Sequence, residues 1–231
     1  MILTLGPSVL ATNFEFAIDD ANKKHTRNYD SIGVYLSGGI DSVALLILIL
    51  TELKSTGNLV KLPITCYTVN KRDFSTDIAP KIVKLLEDKF DTSISHINDM
   101  PNLSGSMDNV TIKTFIDNFI KNRNRLFFVG INKMPPKELV SFKYTLKVNY
   151  GNVKDRIIYY SPFMFLHKPQ ILDIFYKLNC EDIIPYTYSC TVQPNIPCNN
   201  CYACEERSWG FKMLEKSDPL VAQNQLTVNT I

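Results

Sequence analysis

Short apolar runs separated by polar and glycine-containing stretches set the rhythm of the middle of this chain. Ile32 to Leu36 is apolar and bounded by turn residues, which predicts a buried strand. Val43 to Leu50 is apolar throughout and predicts a buried helix. Ile64 to Val69 predicts a second strand after the turn at Gly57-Asn58. In Asp77 to Phe90, Ile78, Ile82, Val83, Leu85, Leu86 and Phe90 recur at helical spacing, with Ser75 or Thr76 as the expected cap. Thr92 to Ile97 predicts a third strand, and Asn98 to Asn109 reads as a loop. Thr111 to Lys121 predicts a helix, and Leu126 to Ile131 a fourth strand. Strands alternating with helices predict an α/β fold with a parallel sheet covered on both faces.

The flanks are less regular. Phe14, Phe16, Ile18 and Ala21 predict a helix over about Asn13 to Lys24. Lys137 to Arg156 is lysine-rich and mixed, and reads as a connection or insertion. Ile157 to Tyr160 predicts one more strand. Lys168 to Leu178 predicts a helix with Pro169 tolerated in its first turn. The chain from Glu205 onward is helix-prone. We expect a first unit over residues 1–186 and a C-terminal segment over 187–231.

Composition changes this picture little. The 231 residues carry a net charge of +2, which predicts no broad electrostatic footprint for nucleic acid. No secretory leader pattern is evident, and the longest apolar run is too short to span a bilayer. A cytoplasmic, reduced protein that does not bind a membrane is the expectation.

The chemistry gathers at two places. The first is Ser37-Gly38-Gly39-Ile40-Asp41-Ser42, between the first strand and the first helix. Glycines let backbone approach a ligand, and a helix N-terminus offers unpaired N–H groups and a positive dipole end to an anion. Ser37 and Ser42 add hydroxyls. Asp41 repels phosphate unless it caps the helix, orients the loop or holds Mg²⁺. The string is neither a Walker A loop nor a dinucleotide fingerprint. It resembles the pyrophosphate-binding PP-loop of the ATP pyrophosphatases.

The second place is Cys190, Cys198, Cys201 and Cys204. Four thiolates at this spacing predict a closed structural Zn²⁺ site, although an iron–sulfur cluster uses the same donors. Cys66 and Cys180 read as buried small hydrophobes. His25 reads as a surface residue, His96 as a strand residue and His167 as a loop residue. Asn70 to Asp73 lies at a strand's carboxyl end, where it forms either a ligand contact or a polar turn. Lys168 either faces the phosphates or is solvated.

The loop, followed by Ser161-Pro162, Lys168, Tyr188-Ser189-Cys190, the string Pro197 to Cys204, Arg207 and Gly210-Phe211, is similar to the 7-cyano-7-deazaguanine synthase family. The resemblance implies an adenine nucleotide alpha hydrolase-like, Rossmann-like PP-loop fold with a C-terminal helical zinc-binding segment. It implies ATP, Mg²⁺ and Zn²⁺ as cofactors, with 7-carboxy-7-deazaguanine and ammonia as substrates and a homodimer as a possible assembly. It implies catalytic roles for Ser37, Asp41, Ser42 and Lys168. ATP contacts are implied for Leu36, Ser37, Gly38, Gly39, Ile40, Asp41, Ser42 and Tyr67, and substrate contacts for Arg72 and Asn132. The chain departs from the family around Thr68 to Arg72, where only Arg72 answers, and over Lys133 to Glu138. An amidating or thiolating PP-loop enzyme on another substrate, and a nucleotide-binding protein without catalysis, are the competing readings.

Overall fold

The computed structural model describes residues 2–5, 8–11, 31–70, 74–100, 126–136, 158–194 and 196–220. Two short strands, β1 (Ile2–Leu5) and β2 (Ser8–Ala11), pair antiparallel, and β1 lies beside the helix that begins at Lys168. This hairpin is not anticipated by the periodicity. The Gly6-Pro7 pair between its strands is the turn signal available in the sequence. The helices expected over 13–24 and 111–121, the insertion at 137–156, His25 and Arg72 lie outside the described residues.

Five strands form a parallel sheet in the order β5-β4-β3-β6-β7. They are β3 (Ile32–Tyr35), β4 (Ile64–Val69), β5 (Ile94–Met100), β6 (Leu126–Phe128) and β7 (Ile158–Tyr160). The first sheet strand in sequence, β3, is therefore central. The chain builds outward from it on one side, then returns to build on the other. A ligand crevice opens at such a reversal, outside the strands' carboxyl ends. The loop Ser37 to Gly39 leaves β3 at that point.

Helix α1 (Ile40–Ser55) follows the loop, and every residue from Val43 to Leu50 is fully buried. A helix apolar all round requires cover on all sides. It packs against helix α2 (Ser75–Phe90) and helix α3 (Lys168–Lys177). A second cluster, Tyr67, Val69, Phe127 and Val129, is buried separately from this core.

Three boundaries differ from expectation. Neither Ser75 nor Thr76 caps α2: the cap is Phe74, in the left-handed region at φ +65°, and Ser75 is the first helical residue and buried. Strand β5 runs on through Asn98 to Met100, where a loop was expected, and the rest of that stretch, 101–109, lies outside the described residues. Strand β6 ends at Phe128, and the chain to Ile131 continues without ladder pairing. After α3, a 3₁₀ helix spans Glu181–Tyr186, and helix α4 spans Tyr202–Met213.

Candidate active site and metal centre

The loop after β3 is held from within. Ser37 N–H donates to Ser42 Oγ at 3.2 Å, the two hydroxyls lie 3.1 Å apart, and Ser42 Oγ donates to the Gly39 carbonyl at 3.1 Å. Gly38 has φ +77°, and a Cβ there would meet Ile78 Cγ2 at 2.5 Å. Only glycine suits both the backbone angle and the approach of α2. The Gly38 carbonyl accepts from Tyr188 N–H at 3.0 Å, which ties the loop to the cysteine-bearing segment.

Four helices present their first turns to one cleft of about 150 Å³. Its lining includes Ile40 and Asp41 of α1, Ser75 of α2, Lys168 of α3, and Ala203 and Glu206 of α4. Ser37, Gly39 and the run Tyr188 to Thr191 complete it. Four positive helix-dipole ends therefore converge, an arrangement that favours an anion such as phosphate. The volume suits a phosphate-sized group and falls short of a whole nucleotide pocket.

Lys168 lies at the centre, 4% exposed. Its Nζ donates to Asp41 Oδ1 at 2.6 Å and pairs with Glu206 Oε2 at 2.9 Å. Lys168 is therefore buried against the loop and not solvated. Gly210 makes this possible: a Cβ there would lie 2.8 Å from Lys168 Cγ and from Leu172 Cδ1. Its absence lets α4 press onto α3. Burial opposes charge on Lys168, but Asp41 and Glu206 outweigh it and hold the ammonium above its ordinary range. Burial pushes the Asp41 carboxyl up, Glu206 adds to the rise, and Lys168 opposes it.

Glu206 has no counterpart among the sequence-predicted site residues. Its Oε1 accepts from Asn132 Nδ2 at 2.7 Å and from Tyr202 OH at 3.3 Å. Asn132, expected to face substrate, thus supports Glu206 through its amide. Leu36 and Tyr67 are fully buried. Leu36 N–H donates to the Tyr67 carbonyl at 2.9 Å, so both fix the strand from which the loop springs. Ser37, Gly39, Ile40 and Asp41 line the cleft, while Gly38 and Ser42 shape the loop behind them. His167 is the residue capping α3, its N–H donating to Gln170 Oε1 at 2.8 Å, rather than a free loop histidine. Cys66 and Cys180 are buried as expected.

The sulfurs of Cys190, Cys198, Cys201 and Cys204 all lie within 4.8 Å of one another. Cys198 and Cys204 Sγ are 3.9 Å apart. Tetrahedral thiolate coordination of zinc gives sulfur separations of about 3.8 Å. The donor set therefore fits a metal. Burial opposes ionisation of Cys190, but N–H groups of Cys198, Gln193 and Val192 outweigh it and draw the thiol down to about 6. Cys204 moves the other way, pushed up by burial and by its neighbours. The arginine three residues on is structural: Arg207 Nε and Nη2 bond the Asp218 carboxylate at 2.7 and 2.9 Å, and Nη1 bonds Thr187 Oγ1 at 2.9 Å.

Two family matches divide the chain at this site. Asparagine synthase matches residues 13–95, which contain the glycine loop. Queuosine biosynthesis protein QueC matches residues 137–215, which contain Lys168, Glu206 and all four cysteines. The chain is thus similar to QueC over its C-terminal third and to asparagine synthase around the glycine loop. No curated protein matches it. Among solved structures, the U34-tRNA thiolase NcsA from Methanococcus maripaludis with its [4Fe-4S] cluster is similar at 12% identity and a TM-score of 0.48. That match covers 94% of this chain and 80% of the thiolase chain. No helix among the described residues is long and apolar enough to cross a membrane.

Proposed function

We propose that this QueC-like protein is an ATP-dependent carbon–nitrogen ligase acting on 7-carboxy-7-deazaguanine, using ammonia to form the amide and then the nitrile. The observation that carries the reading is the contact between Lys168 and Asp41. It joins the glycine loop to the helix that the QueC match contains, in a cleft where four helix N-termini meet.

A carboxylate is a poor electrophile. Its oxygen attacks the α-phosphorus of ATP, pyrophosphate leaves, and an acyl adenylate results. Ammonia then attacks the acyl carbon and AMP leaves, giving the amide. In a second round the amide oxygen attacks the α-phosphorus of another ATP and pyrophosphate leaves, and the adenylated amide then loses AMP and both N–H protons to give the nitrile. The residues of this chain contribute position and charge. The loop and the converging helix N-termini receive the departing pyrophosphate, and the Lys168 ammonium offsets its charge. Mg²⁺, for which Asp41 is the candidate ligand, would neutralise phosphate charge when bound. Zn²⁺ on the four thiolates would close the segment that donates to Gly38 and carries Glu206. This reading needs small molecules alone, with a cytoplasmic location and a homodimer as part of the same proposal.

The test is incubation of the full chain with Mg-ATP, ammonia and 7-carboxy-7-deazaguanine, followed by mass spectrometry. AMP together with amide or nitrile is expected. Neither product would overturn the reading. AMP formed only with a different acid would move the chain to another amidating substrate. Elemental analysis finding iron and sulfide in place of zinc would correct the metal.

A further inference from the structure

We propose that Glu206 is a positioning residue that anchors Lys168 in the cleft, leaving Asp41 as the partner that ligand exchanges. The inference deepens the proposed function, and rests on it for the identity of the anion.

Two carboxylates share one ammonium here, so Asp41, Lys168 and Glu206 together carry one net negative charge. A phosphate entering this cleft meets repulsion unless a cation comes with it or a carboxylate turns away. The two carboxylates are not equivalent. The Asp41 side chain is 25% exposed, whereas that of Glu206 is 6% exposed. Glu206 is also held by Asn132 at 2.7 Å and Tyr202 at 3.3 Å, and moving it would break both bonds. Moving Asp41 breaks its bonds to Lys168 and turns the carboxylate toward solvent and the arriving ligand. Asp41 is therefore the partner free to leave.

The consequence is a division of labour. With Glu206 in place, Lys168 stays charged and located when Asp41 departs toward a cation. Its remaining N–H donors then meet the anion. Without Glu206, a buried ammonium has Asp41 as its sole carboxylate partner among the described residues, and releasing it strands the charge. Glu206 thus acts through Lys168 and touches no reacting atom. Its own placement comes from α4, whose first turn carries Cys201 and Cys204.

The protonation of Lys168 reads this directly. The ionisable groups facing its Nζ are Asp41 from α1 and Glu206 from α4. We would follow lysine ¹³Cε shifts in the full chain through an alkaline titration, assigning Lys168 with Lys168→Arg. In Asp41→Asn, Lys168 loses its closer partner, but with Glu206 in place it should stay protonated and located at neutral pH. In Glu206→Gln its affinity should fall about tenfold or more, one unit in midpoint. Glu206→Asp should recover part of the loss. Equal midpoints in Glu206→Gln and the parent, or a Lys168 that is deprotonated at neutral pH in Asp41→Asn, would overturn the proposal. If Glu206→Gln does not fold, Asn132→Ala keeps the charge and loosens its anchor. A lowered Lys168 midpoint there supports the proposal, and an unchanged one overturns it. Magnesium pyrophosphate added to the parent should shift the Lys168 signal. Absence of that shift, with the variant difference intact, would count against the ATP reading and leave the role of Glu206 standing.

Discussion

Gly130 sits so close to Asp41 that a Cβ on it would lie 2.8 Å from the Asp41 carbonyl carbon and 2.9 Å from its oxygen. The contact is with backbone, at the first turn of α1, so no side chain can swing aside. The end of β6 thereby sets how near the second half of the sheet comes to the PP-loop. Gly130→Ala should displace the first turn of α1 and destabilise the protein by about 1–3 kcal/mol, as overpacking does. For a chain of this length that lowers Tm by roughly 2–4 °C per kcal/mol. Adenylation should fall further than stability predicts, because the shift is at Asp41. A variant with parental Tm and parental AMP formation would show that the loop tolerates the shift.

The metal centre and the loop are joined through backbone. Tyr188 N–H donates to the Gly38 carbonyl, and Cys201 is the N-cap residue of α4. Chelation, or Cys201→Ser, should therefore lower Tm and also lower the Lys168 proton affinity, since Glu206 follows Cys204 by two residues. Circular dichroism melting with the ¹³C titration checks both. Loss of metal with an unmoved Lys168 would separate the two sites.

How far this was legible in the sequence depended on distance along the chain. The six-residue loop and the four cysteines are local signals, and their geometry matches the spacing. The parallel sheet followed from alternating apolar runs. Lys168 showed two readings because its partners lie far off, and the bond to Asp41 spans 127 positions. Glu206 stood as one of two adjacent acids on a helix, indistinguishable from a solvated face. Only the fold brings Asn132 to it, across 74 positions. The signal available was the placement of Tyr202 four residues earlier on the same helical face.

His96 makes a case for acid sensitivity. Thr68 Oγ1 donates to the Leu36 carbonyl at 2.6 Å, so the His96 Nε2 contact at 2.9 Å is a donation from the ring to Thr68. Burial lowers the His96 pKa below its ordinary 6.5. The folded state thus binds its proton less readily than the unfolded chain. Its contribution is present above pH 6.5 and is lost as pH falls through the lower folded value. His167 is lowered too, by burial first and by Lys133. Stability measured by denaturant should decline on acidification in this window, and His96→Gln should flatten the decline. An unchanged slope in the variant would assign the acid effect elsewhere.

Cys66 distinguishes amidation from thiolation. It was the one obvious cysteine near the loop in sequence, and a thiolating reaction needs an accessible thiolate. In the structure it is fully buried in β4, and burial, with Glu87 adding to it, pushes its thiol far above the ordinary range. Cys190 is the cysteine that lines the cleft among the described residues, and it belongs to the metal set. Cys66→Ala should therefore leave AMP formation at the parental rate, with a modest loss of Tm from the small cavity. The comparison requires folded protein, which the melting curve establishes. If the folded variant loses turnover while still releasing pyrophosphate from ATP, then the acceptor is a sulfur on this chain and the amidating reading is wrong.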